Sequence, residues 1–538
     1  MSIFFIFRNL GFTICTLLVC GSLYAQQKTD AYFTQATKNG QLANESFRRC
    51  QQFVSGWLQQ ADPITGLIPR NLKESRDFWN AWDAAADNYP FMVMTADMVD
   101  KPLFKGRMKD ILNTETRLTS RIGRLPDTYS FSKRNFLNEQ PDTSQIIFGT
   151  AEYMKDGLVP LTEWLGPSPW SERMLGMLTD LNKLIDVPTE IHGKYFGNSA
   201  VVEVNGDLLQ VLARMYWMTR DPQWLAWGMQ IGDYFLSEEH LPTRSLERLR
   251  LRDHGGEIVA GLVEMYAVVS VADPVRKQSW EPYLHEMLDL ILAKGRNEDG
   301  LFYDEINPRT GQIVAPRLAD TFGYILNSFY TVYLIDHTEA YRTAVLKPLK
   351  ALNTRYRNFD WEGGSADGYA DAIEGALNLY LRESVPDLDA WIDSQMQVMW
   401  QKQQPDGIIE GWHGDGNFAR TSLMYALWKT AGTHVTNWQP GLTYGAVVAD
   451  GVLYVTLRST SDWKGTLKFG SQLHANNLNM PFDYPRINQF QEWYPLDAKT
   501  EYLLTQDART SRYLGASLLT GLPIELKANE TLRLTLSR

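Results

Sequence analysis

The stretch Asp-Gly-Tyr-Ala-Asp-Ala-Ile-Glu-Gly-Ala-Leu, residues 367–377, has the residue spacing of a helix with two different faces. Asp367, Asp371 and Glu374 stand at i, i+4 and i+7 and would share one face, while the apolar residues of the stretch would share another. Three like charges on adjacent turns repel one another and add nothing to a purely structural helix. The stretch therefore predicts a helix that packs through its apolar face. Its acidic face is either solvated or part of a site in which neighbouring carboxyl groups shift one another's pKa.

Helical segments of the same kind extend on both sides of this stretch, from about Thr34 to Thr433. Their apolar residues recur at three- and four-residue spacing, and prolines fall between them, where helices stop. The clearest segments are Leu208–Thr219, Trp224–Leu236, Glu257–Val271, Trp280–Ala293, Thr321–Leu334 and Ala370–Leu381. We expect on the order of twelve to fourteen helices, joined mostly as hairpins.

The pattern changes near Gly441, where short β-branched and aromatic runs replace the helical periodicity. Asp-Gly, Ser-Asp and Asn-Glu turns separate these runs, which is typical of an antiparallel sheet. The runs are Gly441–Val448, Val452–Arg458, Gly465–Phe469, Glu501–Leu504 and Thr531–Leu536. The last hundred or so residues are therefore predicted to form a small antiparallel β-sandwich.

Composition limits the classes of partner. A chain of 538 residues is too long for one compact core, so two domains are expected. The net charge of -11 argues against nucleic acid and anionic membrane surfaces, although a local cluster of basic residues could still bind an anionic substrate. Aromatic residues make up 12% of the chain, which suits both a large core and stacking against sugar rings.

The N-terminus has the features of an export signal. An apolar run from Leu10 to Val19 follows the single charge of Arg8, and Ala25 offers a small residue at a cleavage position. A lipid anchor at Cys20 fits less well, because Val19 is bulky where a small residue is expected. After cleavage only Cys50 would remain, so no internal disulfide and no cysteine metal site are expected, and no later segment is apolar enough to span a membrane. The predicted division is a signal peptide over 1–25, a helical domain over 26–435 and a β-sandwich over 436–538.

Several polar clusters recur where a turn leads into a helix of small residues. They are Phe78–Asp83, which runs on to Asp87–Pro90, Asn205-Gly206-Asp207, Asp253-His254-Gly-Gly-Glu257, Asp320-Thr321, the acidic stretch at 367–377, and Glu410-Gly-Trp412-His413-Gly-Asp415. Asp83, Asp207 and Asp320 could equally be helix N-caps, because Asp accepts hydrogen bonds from free helix N–H groups. The glycines and the histidine of the Asp253–Glu257 cluster, and the Trp-His pair of the last cluster, are harder to explain as capping alone.

This order of helical hairpins, acidic clusters and a terminal sandwich resembles the (α/α)-toroid carbohydrate-active enzymes, a group that includes glucuronidase-like glycoside hydrolases, epimerase-like proteins and polysaccharide lyases. The resemblance covers nearly all of the chain after residue 25 but identifies no single family. It implies an (α/α)6-type ring of inner and outer helices followed by an antiparallel β-sandwich. It also implies that the loops at one end of the inner helices converge on a central cavity.

Glycoside hydrolysis needs one carboxylic acid to protonate the leaving oxygen and one carboxylate as base or nucleophile. The sequence leads us to expect that Asp371 or Glu374 is one partner and Glu410 the other. His254, Glu257 and Asp367 complete the predicted catalytic set. The residues predicted to bind substrate are Trp79, Trp82, Asp83, Asn205, Asp253, Arg317, Asp320, Tyr369, Trp412, His413 and Arg420.

Three other functions remain open, of which a carbohydrate epimerase fits least well with the export signal and the predicted β-sandwich. A polysaccharide lyase would need a base such as His or Tyr and a group that neutralises the substrate carboxylate, for which Asn205, His254, Tyr369 and Arg420 are available. A glycan-binding surface protein without activity would use the acidic residues only structurally. No cofactor and no metal are expected, because the chain lacks a His-Glu-x-x-His motif, a phosphate-binding glycine loop and a dinucleotide fingerprint. The favoured interpretation is an exported hydrolase of a plant or algal polysaccharide, with uronic acid in the substrate as a further expectation.

Overall fold

The computed structural model describes residues 4–184, 198–507 and 509–538, with side chains described from residue 26 onward except at 198–201 and His254. The chain divides into two compact units. The helical unit comprises Arg49–Met424 and Gln472–Gln491, and the β unit comprises Met1–Arg48, Tyr425–Ser471 and Glu492–Arg538. The segment Gln472–Gln491, which the predicted division assigned to the sandwich, therefore packs with the helices. Buried ion pairs and hydrogen bonds hold it there, among them Arg486 to Glu163.

Fifteen main helices are present in the described residues. They are α1 (Phe4–Gln60), α2 (Tyr89–Val99), α3 (Lys109–Thr119), α4 (Thr143–Glu152), α5 (Val159–Leu165), α6 (Pro169–Leu184), α7 (Asn198–Thr219), α8 (Pro222–Phe235), α9 (Glu257–Ala272), α10 (Pro274–Lys294), α11 (Phe322–Asp336), α12 (Glu339–Arg355), α13 (Ala366–Tyr380), α14 (Leu388–Trp400) and α15 (Asn417–Lys429). Shorter helical turns are Lys101–Leu103, Pro242–Ser245, Asp253–Gly255, Trp361–Gly364, Leu473–Asn476 and Gly515–Thr520, and π-helical turns are Ala81–Asn88, Phe104–Met108 and Tyr153–Leu158.

The helices of the helical unit form two layers. Helices α7, α9, α11 and α13 pack on one another in that order, and α8, α10, α12 and α14 each pack on one of them. In α9 almost every residue from Glu257 to Val269 is buried, whereas α10 buries only a few apolar residues. A helix that is apolar all round belongs inside and an amphipathic one belongs outside, so the first series is the inner layer. The predicted toroid-like arrangement of inner and outer helices is confirmed.

One predicted boundary is wrong. The Asn205-Gly206-Asp207 cluster was expected to precede a helix, but α7 already begins at Asn198 and the cluster lies within it. Gly206 suggests a turn in the sequence, but in the structure it lies where two helices pack closely together. A Cβ atom at Gly206 would come within 2.3 Å of the backbone of Glu257, so its absence lets α7 and α9 approach each other closely.

The small strands of the helical unit form three antiparallel sheets. Their strands are β1 (Phe78–Trp79), β2 (Ser120–Ile122), β3 (Leu125–Pro126), β4 (Tyr129–Ser130), β5 (Asn135–Phe136), β6 (Leu249–Arg250), β7 (Tyr303–Ile306) and β8 (Ile313–Leu318). The sheet orders are β1-β4-β5, β2-β3 and β6-β7-β8.

The β unit contains the predicted antiparallel sheets. Its strands are β9 (His434–Val435), β10 (Leu442–Ala449), β11 (Val452–Ser459), β12 (Trp463–Lys468), β13 (Glu501–Gln506), β14 (Arg509–Leu514), β15 (Leu522–Leu526) and β16 (Thr531–Ser537). One sheet has the order β10-β11-β16-β13-β14 and the other β15-β12-β9. Burial alternates along β16, as expected for a sheet with one face on a core. The predicted sandwich is confirmed as these two sheets.

The predicted signal peptide and Cys20 fall on residues whose side chains lie outside the described part of the chain, so both stay predictions. Searched over the described residues, no helix has an apolar stretch long enough to cross a membrane.

Candidate active site

A cavity of about 420 Å³ lies in the helical unit, where the first turns of several inner helices meet the loops that precede them. Carboxyl groups, basic side chains and aromatic rings all contribute to its wall. The acidic residues are Asp83, Asp87, Glu152, Asp156, Asp253, Glu257, Glu362, Asp367 and Asp371, the basic ones Arg70, Lys155, Arg252, His413 and Arg420, and the aromatic ones Trp82, Phe148, Tyr324 and Trp412, with Asn417 completing the wall. The expected convergence of distant acidic clusters is therefore present for Asp83, Asp253, Glu257, Asp367 and Asp371.

Asp367 stands in the first turn of α13, where the Ser365 hydroxyl caps the helix by accepting a hydrogen bond from the Gly368 N–H at 2.9 Å. Its Oδ1 accepts a hydrogen bond from the Asn417 Nδ2 at 2.8 Å. Burial, followed by the negative charges of Asp371 and Asp415, raises the pKa of Asp367 well above its usual value. No ion pair joins Asp367 to any described basic residue, so its protonated form is favoured more than in a solvent-exposed aspartate.

Asp371 and Glu374 share one buried arginine. The Arg420 Nη2 lies 2.6 Å from Asp371 and 3.1 Å from Glu374, and all three side chains are almost fully buried. Burial raises the pKa of Asp371 well above its usual value, although Arg420 opposes that change. Glu374 also accepts the backbone N–H of Asn488 at 2.6 Å. Asp371 lines the cavity, whereas Glu374 does not.

Arg420 also orients Asn417. Its Nη1 donates to the Asn417 Oδ1 at 2.9 Å and to the Asn488 Oδ1 at 2.8 Å. With its oxygen occupied by a guanidinium, Asn417 must present its amide nitrogen to Asp367. Arg420 thus fixes the orientation of the amide that holds Asp367.

A second acidic group faces the cavity from the π-helical turn Ala81–Asn88. The His413 Nε2 lies 3.7 Å from Asp83 and 3.6 Å from Asp87. Burial opposes the charged form of His413, but Asp87 and Asp83 outweigh it, and the pKa of His413 is raised. Asp83 is also bound by the Arg70 Nε and the Asn80 amide, each at 2.5 Å.

The two aspartates and His413 could hold a metal ion, since their ligand atoms lie within 4.8 Å of one another. In the described part of the chain a second group of this kind is formed by Glu281 and His285 of the outer helix α10 and by Asp336, the last residue of the inner helix α11.

Lys155 lies at the base of a buried charge cluster. Its Nζ is 2.5 Å from Glu257 and 2.7 Å from Asp156, and Glu257 also accepts a hydrogen bond from Gln210 at 2.6 Å. Burial opposes the charge of Lys155, but the surrounding carboxylates raise its pKa well above the usual value. Lys155 is therefore a positively charged counter-ion to these carboxylates rather than a proton donor. Nearby, burial and the charge of Glu152 raise the pKa of the fully buried Asp207.

A second hollow of about 560 Å³ adjoins the cavity and shares Glu362, Asp367, Trp412 and His413 with it. The Trp412 side chain is 76% exposed, although it is large and apolar. Further residues that line this outer hollow are Arg317, Ser365, Lys402, Glu410 and Asp415. Glu410 is mostly buried, accepts the backbone N–H of Leu72, and lies 3.7 Å from the Lys73 Nζ.

Four further predicted residues line neither hollow. Trp79, Asn205, Asp320 and Tyr369 are buried, at 1–4% exposure. Asp320 binds Arg252 at 2.8 Å, and the Tyr369 hydroxyl donates to the Phe359 carbonyl at 3.3 Å. The side chain of His254 lies outside the described part of the chain.

Sequence reasoning missed several residues of the cavity wall. None of the polar clusters of the sequence contains the cavity residues Arg70, Glu152, Lys155, Glu362 and Asn417. Glu362 has a positive φ of 47° and forms an ion pair with Arg252, 110 positions earlier in the chain. A local pattern could not reveal a contact over that separation. Asp87 belongs to the first polar cluster of the sequence, four positions after Asp83, but it is not among the predicted site residues.

No protein-family model matches the chain, and no curated protein matches its sequence. Solved structures with similar folds include an inactive variant of the α-1,6-mannanase GH76A of Salegentibacter sp. in complex with α-1,6-mannotetrose, at 9% identity over 71% of this chain and 97% of that one, with a TM-score of 0.40. A second is cellobiose 2-epimerase from Spirochaeta thermophila, at 13% identity over 60% and 85% of the two chains, with a TM-score of 0.39. A third is the Lin0763 protein of Listeria innocua, at 11% identity over 59% and 94%, with a TM-score of 0.39. None of these likenesses identifies the substrate or the catalytic residues of this chain.

Proposed function

We propose that this chain is a glycoside hydrolase in which Asp367 is the general acid. The observation that carries the proposal is the position of Asp367. It is a half-buried carboxyl without an ion pair among the described residues, it lines both hollows, and burial raises its pKa. A carboxylic acid that stays protonated near neutral pH is what protonation of a glycosidic oxygen requires.

The second carboxylate in this proposal is Asp87. Its side chain is 19% exposed, lines the same cavity as Asp367, and faces the imidazole of His413. A positively charged His413 favours the ionised form of Asp87, which suits a base or nucleophile. The two carboxyl groups would therefore have opposite protonation states, one set by burial among acids and the other by a nearby cation.

Aromatic side chains provide the surfaces on which sugar rings could stack. Trp82 and Phe148 lie side by side at the cavity wall, with ring centroids 6.4 Å apart, and Trp412 stands where the two hollows meet. Sugar rings present apolar C–H faces, so exposed indole rings favour their binding. A glycan that extends from one hollow into the other would place a glycosidic bond near Asp367.

The pairing of Asp371 or Glu374 with Glu410, expected from the sequence, stays a prediction. Asp371 and Glu374 are bound to Arg420, and Glu410 is bound to the backbone of Leu72. Among the residues whose side chains the structure describes, Asp367 has no such cationic partner, which is why we place the acid there. Export of the protein and uronic acid in a plant or algal substrate likewise remain proposals from the sequence.

Lyase chemistry has weaker support in this cavity. A lyase needs a cation that is free to neutralise the substrate carboxylate. Each cavity arginine instead faces a carboxylate of the protein, as Arg70 does with Asp83, Arg252 with Asp320 and Arg420 with Asp371.

The test is the turnover of the Asp367→Asn variant on a panel of neutral and acidic oligosaccharides. We expect kcat to fall by a factor of about 10² to 10⁴ with KM little changed, because the amide keeps the shape but cannot donate the proton. Asp389→Asn, an exposed acid in the first turn of α14, is the matched control and should act like wild type. Wild-type turnover of Asp367→Asn would refute the assignment.

A further inference from the structure

The β unit contains a separate hollow of about 390 Å³, formed between α1 and the outer part of the five-stranded sheet. Its wall is made almost entirely of threonine and arginine side chains, with two glycines and a glutamine. The residues are Thr37, Gly40, Gln41, Gly441, Thr443, Thr456, Arg458, Thr460, Thr531 and Arg533. We propose that this hollow binds an anionic saccharide, a sugar that bears a carboxylate or sulfate group.

The strand register brings the two arginines to one face of the sheet. Thr443 opposes Arg458 across β10 and β11, and Arg458 opposes Thr531 across β11 and β16. In the next row Thr456 opposes Arg533. Because alternate residues of a strand point to the same side, Arg458 and Arg533 are diagonal neighbours with threonines beside them.

Helix α1 supplies the opposite wall. A Cβ atom at Gly40 would come within 2.9 Å of the backbone of Tyr444, so the helix crosses β10 at close range there. The Asn39 amide donates to the Ala446 carbonyl at 2.8 Å, and the Asn44 amide donates to the Leu442 carbonyl at 3.0 Å. These bonds fix the helix on the sheet edge, so the hollow is a defined feature of the fold.

The charges of this hollow suit an anion. Among the described carboxylates none forms an ion pair with Arg458, and the Arg533 guanidinium lies 3.5 Å from a single exposed acid, Asp30. Guanidinium groups bind planar carboxylates and sulfates through two parallel hydrogen bonds. Threonine hydroxyls both donate and accept, which matches the hydroxyl groups of a sugar. A net charge of -11 for the whole chain disfavours a polyphosphate such as nucleic acid.

The experiment is calorimetric titration of the full chain with a short oligoglucuronate, with the corresponding neutral oligoglucoside and with inorganic sulfate. We expect saturable binding of the oligoglucuronate, weaker binding of sulfate, and no binding of the neutral glycan at this site. Arg458→Ala and Arg533→Ala should each weaken oligoglucuronate binding about tenfold or more, since a charged hydrogen bond is lost. Arg458→Gln, which keeps most of the side-chain length, should show the same loss.

Arg512→Ala is the matched control. Arg512 lies on β14, where its guanidinium is 3.6 Å from Glu501, and it does not line the hollow. Equal binding by the Arg458 variants and wild type, or equal binding of the neutral and acidic glycans at this site, would overturn the proposal. Binding in this hollow does not require turnover, so the titration remains valid if the proposed hydrolysis fails. Oligosaccharide cleavage by the Arg458 variants should match that of the wild type.

Discussion

The Asn417 amide donates a hydrogen bond of 2.8 Å to one oxygen of Asp367, and the same amide is held by Arg420 from the other side. The first residue of α15 therefore positions a carboxyl group in the first turn of α13. The bond favours the ionised form of Asp367, but burial and the adjacent acids outweigh it. The pKa of Asp367 thus results from a balance to which Asn417 contributes.

Replacement of Asn417 by alanine should change the pH dependence of the reaction. Loss of the amide donor raises the pKa of Asp367 further, because a bond to the ionised form is removed. A general acid acts while protonated, so the alkaline limb of kcat against pH should move to higher pH, with a lower maximum from poorer positioning. Steady-state kinetics across the pH range check this, and a limb that is unmoved or moves to lower pH would contradict it.

The contribution of His413 to stability should depend on pH. The folded-state pKa of His413 is raised by Asp87 and Asp83, so its stabilising effect is fully present below the unfolded value of about 6.5 and is lost as pH rises through the folded value. The difference in unfolding free energy between wild type and His413→Gln should therefore shrink as the pH is raised from about 6.5 through the folded-state pKa of His413. Urea unfolding at a series of pH values measures it. A difference that stays constant or grows would mean that His413 is not charged in the folded protein.

Trp412 should contribute to substrate binding and little to stability. Its side chain is 76% exposed, so Trp412→Ala should change the unfolding free energy by no more than about 0.5 kcal/mol. Loss of a stacking surface should raise KM roughly three- to tenfold with kcat unchanged. Val275→Ala, at an apolar side chain 78% exposed on α10, controls for a change at an exposed site. An unchanged KM would remove Trp412 from the binding surface.

Arg420 should be essential to the stability of the helical unit. Arg420→Met leaves Asp371 and Glu374 buried without their cation and removes the bonds to Asn417 and Asn488. Breaking a buried ion pair in this way costs about 3–5 kcal/mol. Denaturant unfolding should show that loss, whereas Lys402→Met, at an exposed lysine, should cost little. A loss of less than about 1 kcal/mol in unfolding free energy would contradict this, because it would mean that Asp371 and Glu374 do not need a cation in the folded protein.

Helical periodicity predicted the acidic face of α13 correctly, but not how deeply each acid lies. Asp367 and Asp371 line the cavity, while Glu374, one turn further along the same face, is 1% exposed and bound to Asn488. Depth depends on where α15 and the segment Gln472–Gln491 pack, and these are distant in sequence. The periodicity of one helix contains no information about them.

Isolated glycines and single charged residues carry less information in the sequence than a periodic pattern does. Gly206 indicated a turn but allows two inner helices to touch. Lys155 and Asp156 lie in the π-helical turn Tyr153–Leu158, where neither spacing nor clustering marks them. Such turns re-aim side chains within an otherwise regular helix, and they are common at functional sites. The sequence predicts the strands of the β unit well where β-branched residues alternate, but it does not predict β9, β14 or β15.

Cleavage of oligosaccharides in water enriched in ¹⁸O tests the central claim most directly. A hydrolase adds water across the glycosidic bond, so mass spectrometry should show one ¹⁸O atom in the new reducing-end product, no near-ultraviolet absorbance, and loss of product with Asp367→Asn. Products without ¹⁸O that absorb in the near ultraviolet would show β-elimination instead. Undiminished product from Asp367→Asn would show that the acid lies elsewhere.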